Sequence, residues 1–296
     1  MLSKKNLSLL TILILLLFFP HHLLQAQSKV KPRKCILVFG AHADDVDEIA
    51  GGTFAKYIDL GYEGIYVCYT NNTAGCNLER TPYYDKGPDF TVSGATGIFP
   101  VGALESIQIR EEEARQAAAV YGSIPEFLYF RETWFWQGRK QCPIGTDEFH
   151  RFQPPGRQIV SVATRSSKDI NVVYDLLVKY QPEIVITHAL GGEKHDHGNG
   201  AYLMYQAFTK AMEQDIPVGK LWMDVHGWFL QKDAQETGRG IPDVHIEVKD
   251  YLPVKYEALN KHVSQNGGFG RDYVMGNKTQ PKEVIEEFIT VIDNTK

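Results

Sequence analysis

The sequence predicts an α/β domain built on a mainly parallel sheet. Three observations carry that prediction. Short apolar runs rich in β-branched residues alternate with segments of helical period. The strongest of these runs, Cys35–Phe39 and Glu183–Thr187, read as buried strands. Each of the two ends in a polar, His-bearing turn shortly before a helix, the layout that places ligands at one edge of an open sheet.

Residues 1–26 stand apart from the rest. Lys4 and Lys5 give a short basic start, Leu9–Phe19 is almost wholly apolar, and Leu24-Gln25-Ala26 ends on a small residue suited to cleavage. This is the pattern of a secretory signal peptide, with an uncleaved N-terminal anchor as its rival. The apolar run is short for a membrane span. The expected product is residues 27–296 as a single exported domain, periplasmic or extracellular, with no stable membrane insertion after cleavage.

From residue 27 the elements follow in order. Cys35–Phe39 is strand one and Thr53–Leu60 helix one, with His42-Ala43-Asp44-Asp45 between them. Gly64–Tyr69 is strand two, leading into the polar turn Thr70–Gly75. Residues 76–103 form a long loop, the kind that in a compact domain is functional or disordered. Leu104–Tyr121 is a helix with Ile107, Arg110, Ala114, Ala117 and Tyr121 on one face, stopped by Gly122. Phe127–Phe130 is a short strand, and Arg131–Ser167 a second long loop rich in Trp, Phe, Gly and Pro. Asp169–Tyr180 is a helix ended by Pro182. Glu183–Thr187 is a strand delivering His188 and then His195-Asp196-His197. A helix over 200–212 follows. The last third offers strands at Trp222–Leu230 and Val244–Val248, a helix at Val254–Ser264, and a final amphipathic helix at Glu283–Asp293.

Composition narrows the function classes. Hydrophobic content is 43% and charged content 23%, enough for a sizeable core. The net charge is −5 and Lys/Arg form no long runs, which gives no support to nucleic-acid binding. Cys35 and Cys68 lie in strand-like runs and read as buried hydrophobes. Cys76 and Cys142 lie in loops, where export would allow them to pair. No CxxC is present, so a thiolate zinc site is not supported. Oligomeric state is not readable.

The chemistry concentrates at two strand ends. His42 and Asp45 are three apart, which puts them on one side of a turn entering a helix. An imidazole with a carboxylate suits a divalent transition metal such as zinc. The second cluster, His195-Asp196-His197, brings more such groups to the same edge if the sheet is parallel. Three protein ligands would leave a position for water, as catalytic sites do. Asp44, beside them, is placed to take a proton from that water.

With these residues in view, the chain resembles the PIG-L/LmbE-like deacetylases, zinc-dependent amidohydrolases of N-acetylglucosamine-type sugars. The resemblance is carried by His42-Ala43-Asp44-Asp45 with Gly51-Gly52-Thr53, by the turn Thr70–Gly75, by Arg110 and Glu113 with Ala114 and Gly122, and by Lys255, Ala258, Leu259, His262, Ser264 and Gln265. It runs from about residue 34 to 266 and implies a Rossmann-like three-layer sandwich with a mainly parallel central sheet and long decorating loops.

The resemblance makes His42, Asp45 and His197 the ligands of one Zn2+, with His195 as the rival third ligand. It makes Asp44 the general base and Arg110 a substrate-binding residue. Two departures stand out. Ala43 replaces the family's Pro, and Lys194 occupies the place of a His that polarises the amide carbonyl. A Lys ammonium can do that as a point charge, and His195 is the other candidate. The expected partner is an amino-sugar or glycan. An amidase for a larger acyl or peptidyl group and a non-catalytic glycan binder are the competing functions.

Overall fold

The computed structural model describes residues 34–73, 76–80, 97–100, 102–137, 140–151, 154–190, 196–225, 241–265 and 284–295. The expected signal peptide lies outside the described residues. Lys34–Lys296 forms one compact unit.

Seven strands make the main sheet: β1 (Cys35–Gly40), β2 (Glu63–Thr70), β5 (Ile124–Phe130), β8 (Ile184–Thr187), β9 (Lys220–Asp224), β10 (Val244–Glu247) and β11 (Ile285–Asp293), in the order β10-β11-β9-β8-β1-β2-β5. The run β9-β8-β1-β2-β5 is parallel throughout. Counting only those five in chain order gives 3-2-1-4-5, the order of a Rossmann-like sheet. β10 and β11 add an antiparallel edge. Two hairpins, β3 (Asn77–Arg80) with β4 (Gly97–Pro100) and β6 (Trp134–Gln137) with β7 (Lys140–Pro143), occupy the stretches expected as loops.

β1 shows why the sheet is buried on both faces. Leu37 and Phe39 enter one core with Tyr69, Val173, Leu177, Met204 and Phe208. Ile36 and Val38 enter the other with Val46, Phe54, Ala114, Ala117 and Tyr121. The strand period of two sends alternate side chains to opposite faces. One face is covered by α1 (Asp45–Asp59), α2 (Ala103–Tyr121) and α5 (Leu252–Leu259). The other is covered by α3 (Ser167–Tyr180) and α4 (Asp196–Glu213).

The helices differ from expectation in one instructive place. α1 begins at Asp45, eight residues before the expected start, and runs through Gly51-Gly52. Packing holds the pair helical. A Cβ on Gly52 would lie 2.6 Å from Val248 Cβ, and one on Gly51 2.7 Å from the Tyr121 hydroxyl. The ion pair Lys255–Glu286 (2.8 Å) closes over the same turn. Lys255 Nζ donates to the Glu48 carbonyl, while Gly52 and Thr53 N–H donate to the two Glu286 oxygens.

The last segment is a correction. The expected amphipathic helix over 283–293 is strand β11, inserted between β9 and β10. Its inward residues, Glu286 and Phe288, alternate as a strand requires. The four cysteines are buried, and no disulfide is formed between Cys76 and Cys142.

Candidate metal centre

β1 and β8 are neighbours at the centre of the sheet, and the helices after them pack on opposite faces. Strand order reverses there, and the crevice beyond the strands' carboxyl ends is where an open α/β sheet binds ligands. The turn after β1 carries His42, Asp44 and Asp45. It is pinned from three sides. His42 N–H donates to Asp45 Oδ2 (2.6 Å), Ala43 N–H to Asn72 Oδ1 (2.9 Å), and the Tyr66 hydroxyl to the Ala43 carbonyl. After β8, the first turn of α4 brings His197 to the same point. Gly200 makes room for Tyr69 beneath that turn, and the Tyr69 hydroxyl donates to the Asp196 (2.8 Å) and His197 (3.1 Å) carbonyls.

The structure brings together His42, Asp45 and His197. His42 Nδ1 is 3.1 Å from His197 Nε2 and 3.3 Å from Asp45 Oδ2, and His197 Nε2 is 3.5 Å from the same oxygen. Zinc bonds of about 2.0–2.1 Å in tetrahedral geometry give ligand–ligand edges of about 3.3 Å. The three donors fit that triangle, and two imidazoles with one carboxylate suit the ion chemically.

The electrostatics follow from crowding. Burial pushes the Asp45 carboxyl up, but His197, His188 and His42 together outweigh it and hold it well below the usual carboxylate range. Burial disfavours a charged His42, yet the Asp45 and Glu132 carboxylates prevail and raise it to about 9. Burial, helped by its two imidazole neighbours, prevails over the Asp45 charge at His197 and lowers it to about 3. The metal-free cluster therefore keeps its proton on His42.

Asp44 lies beside the tripod, with Oδ1 paired to the buried Arg110 guanidinium. The Arg amid an apolar helix face is thus an ion-paired Arg that also reaches the sheet edge. His188 accepts the Ala41 N–H (3.1 Å) and stacks on His197, with ring centroids 4.3 Å apart. Asp196 is buried and its Oδ1 has no hydrogen-bond partner; burial first, then the Glu132 charge, raises its carboxyl to about 7. Lys194 and His195 lie outside the described residues.

Two groups escaped sequence reasoning. Glu132 is a buried carboxylate 3.3 Å from His42 Nε2. Its signal was a charge directly past the end of an apolar strand, at the edge the other site residues use. Asp47, fully buried in the first turn of α1, accepts from Tyr66 and Tyr121 hydroxyls and meets His262 Nε2, each at 2.7 Å. The late segment with His262 is tied down a second time, where Ser264 N–H (2.7 Å) and Oγ (2.6 Å) donate to Glu113.

Residues 37–208 match the family model described as PIG-L, GlcNAc-PI de-N-acetylase. Among solved structures, the chain is similar to the N,N'-diacetylchitobiose deacetylase from Pyrococcus horikoshii, at 19% identity and a TM-score of 0.54, over 98% of this chain and 94% of that one. It is similar to a deacetylase of the teicoplanin biosynthesis pathway solved with teicoplanin, at 13% identity and 0.51, over 86% and 96%. It is also similar to a conserved protein from Thermus thermophilus, at 16% and 0.50, over 87% and 94%. At these identities the likenesses establish the fold, which is the expected one.

Proposed function

The chain belongs to the PIG-L family, and from that premise we propose that it is an exported, zinc-dependent hydrolase that removes the acetyl group from an N-acetylglucosamine-type sugar or glycoconjugate. The observation that carries the reading is the His42–Asp45–His197 triangle with a separate carboxylate, Asp44, at its side. Export rests on the composition of residues 1–26, and no helix among the described residues is long and apolar enough to cross a membrane.

His42, Asp45 and His197 would hold the ion. When bound, it supplies Lewis-acid chemistry, acidifying a water and polarising the amide carbonyl. Asp44 accepts the proton of the attacking water and later gives it to the leaving amine. Arg110, paired to Asp44 Oδ1, keeps that carboxylate aimed. By the resemblance, Lys194 or His195 would supply the positive charge or donor for the developing oxyanion. The products are acetate and a free amino sugar.

Asp44→Asn tests the division of labour. Turnover of N-acetylglucosamine conjugates should fall by about 10²–10⁴-fold, with zinc content by elemental analysis unchanged. Turnover near that of the parent chain would remove Asp44 from the mechanism. Release of a larger acid in place of acetate would identify the substrate as a different amide.

A further inference from the structure

We propose that Glu132 is a positioning residue that fixes the tautomer and rotation of His42. It accepts a hydrogen bond from Nε2–H and so leaves the Nδ1 lone pair for the metal. The inference rests on the metal-site reading above. Glu132 Oε1 lies 3.3 Å from His42 Nε2, on the side of the ring opposite the donor triangle. The Glu132 side chain has no solvent exposure. Its carboxylate is itself held, by the Thr70 hydroxyl on Oε1 (3.1 Å) and the Thr73 hydroxyl on Oε2 (2.8 Å). Both threonines are buried, at the end of β2 and just beyond it.

A carboxylate placed there is costly unless donors surround it. The two hydroxyls and an imidazole N–H supply that need. With an ion held in the triangle, the other neutral tautomer would fail on both sides. It would set the Nε2 lone pair against the Glu132 oxygen and drive the Nδ1 proton into the triangle formed with Asp45 Oδ2 and His197 Nε2. A carboxylate behind a ligating imidazole sets ring orientation and raises ligand basicity, and its removal commonly costs 10–100-fold in metal affinity.

The test uses the whole chain with Glu132→Gln and Glu132→Ala. Zinc affinity is measured by competition with a chromophoric chelator. The His42 ring tautomer is read from long-range 15N–1H spectra of the zinc-loaded protein, assigned against a His42→Gln chain. We expect affinity 10–100-fold weaker in both variants. We also expect an Nε2–H tautomer at His42 in the parent chain. Circular dichroism checks folding, and Glu132→Gln, which keeps the side-chain volume, carries the test if Glu132→Ala does not fold. Unchanged zinc affinity in a folded variant overturns the inference, as does a parent chain with the His42 proton on Nδ1. A raised KM with unchanged affinity does the same, assigning Glu132 to the substrate. A parent chain inert on N-acetyl amino sugars, with the affinity loss still present, would overturn the proposed reaction and leave the role of Glu132 standing.

Discussion

Replacing Gly200 by Ala should damage the proposed metal centre from a distance. In an ordinary helix the exchange would stabilise by about 1 kcal/mol. Here the new Cβ would sit 1.9 Å from Tyr69 Cζ and 2.2 Å from its hydroxyl oxygen. Ordinary contact begins near 3.4 Å, so ring and helix must separate by about 1.5 Å. Tyr69 is fully buried and stacked on Phe39, with centroids 4.5 Å apart, so the ring has little room to retreat. Overpacking of this kind costs about 1–3 kcal/mol. Strain on the Tyr69 bonds to the Asp196 and His197 carbonyls adds about 1–2. Set against the propensity gain, the net loss is about 1–4 kcal/mol, or roughly 2–16 °C in Tm for a chain of this size. Metal ligation tolerates displacements of only about 0.2 Å, so zinc affinity should fall together with Tm. Differential scanning calorimetry and chelator competition measure the two. A Gly200→Ala chain with the parent Tm and zinc affinity would refute the role given to the space beneath α4.

Further outcomes follow from the same geometry. His197→Ala should purify with little zinc by elemental analysis, and retained stoichiometric zinc would move the third ligand to His195. Arg110→Met, which removes the partner of Asp44, should lower kcat by at least tenfold with zinc content held. An unchanged kcat would restrict Arg110 to packing. Metal-free protein should lose stability as pH rises from about 6.5 through 9. His42, raised to about 9 in the folded state, holds a proton there that the unfolded chain has released. His42→Gln should flatten that decline in Tm across a pH series.

Some of the molecule was plain in its sequence and some was hidden for identifiable reasons. β1 and β2 declared themselves by uninterrupted apolar runs, and α2 by its period and the left-handed Gly122 that ends it. His42, Asp44 and Asp45 were legible because a strand end concentrates them within four residues. β11 was not. Ile285, Phe288, Ile289 and Ile292 satisfy a helical spacing as well as a strand, and only pairing to β9 and β10 decides between them. The early start of α1 was hidden by Gly51-Gly52, whose local preference is overridden by contact with Val248, Tyr121 and the Lys255–Glu286 pair. Glu132 was missed because its partner is 90 positions away in the chain, a distance no local pattern spans.

The bond from Gly52 to Glu286 joins residues 234 positions apart. That separation sets a timetable. The central parallel strands are all made before β11 leaves the ribosome, but two backbone N–H groups of α1 receive their carboxylate only afterwards. Contacts of such long range are slow to form and come late in folding. The middle turn of the helix that opens with Asp45 therefore gains this carboxylate late. A chain halted before its final strand would carry every expected metal ligand and still lack the carboxylate that clamps the helix Asp45 opens.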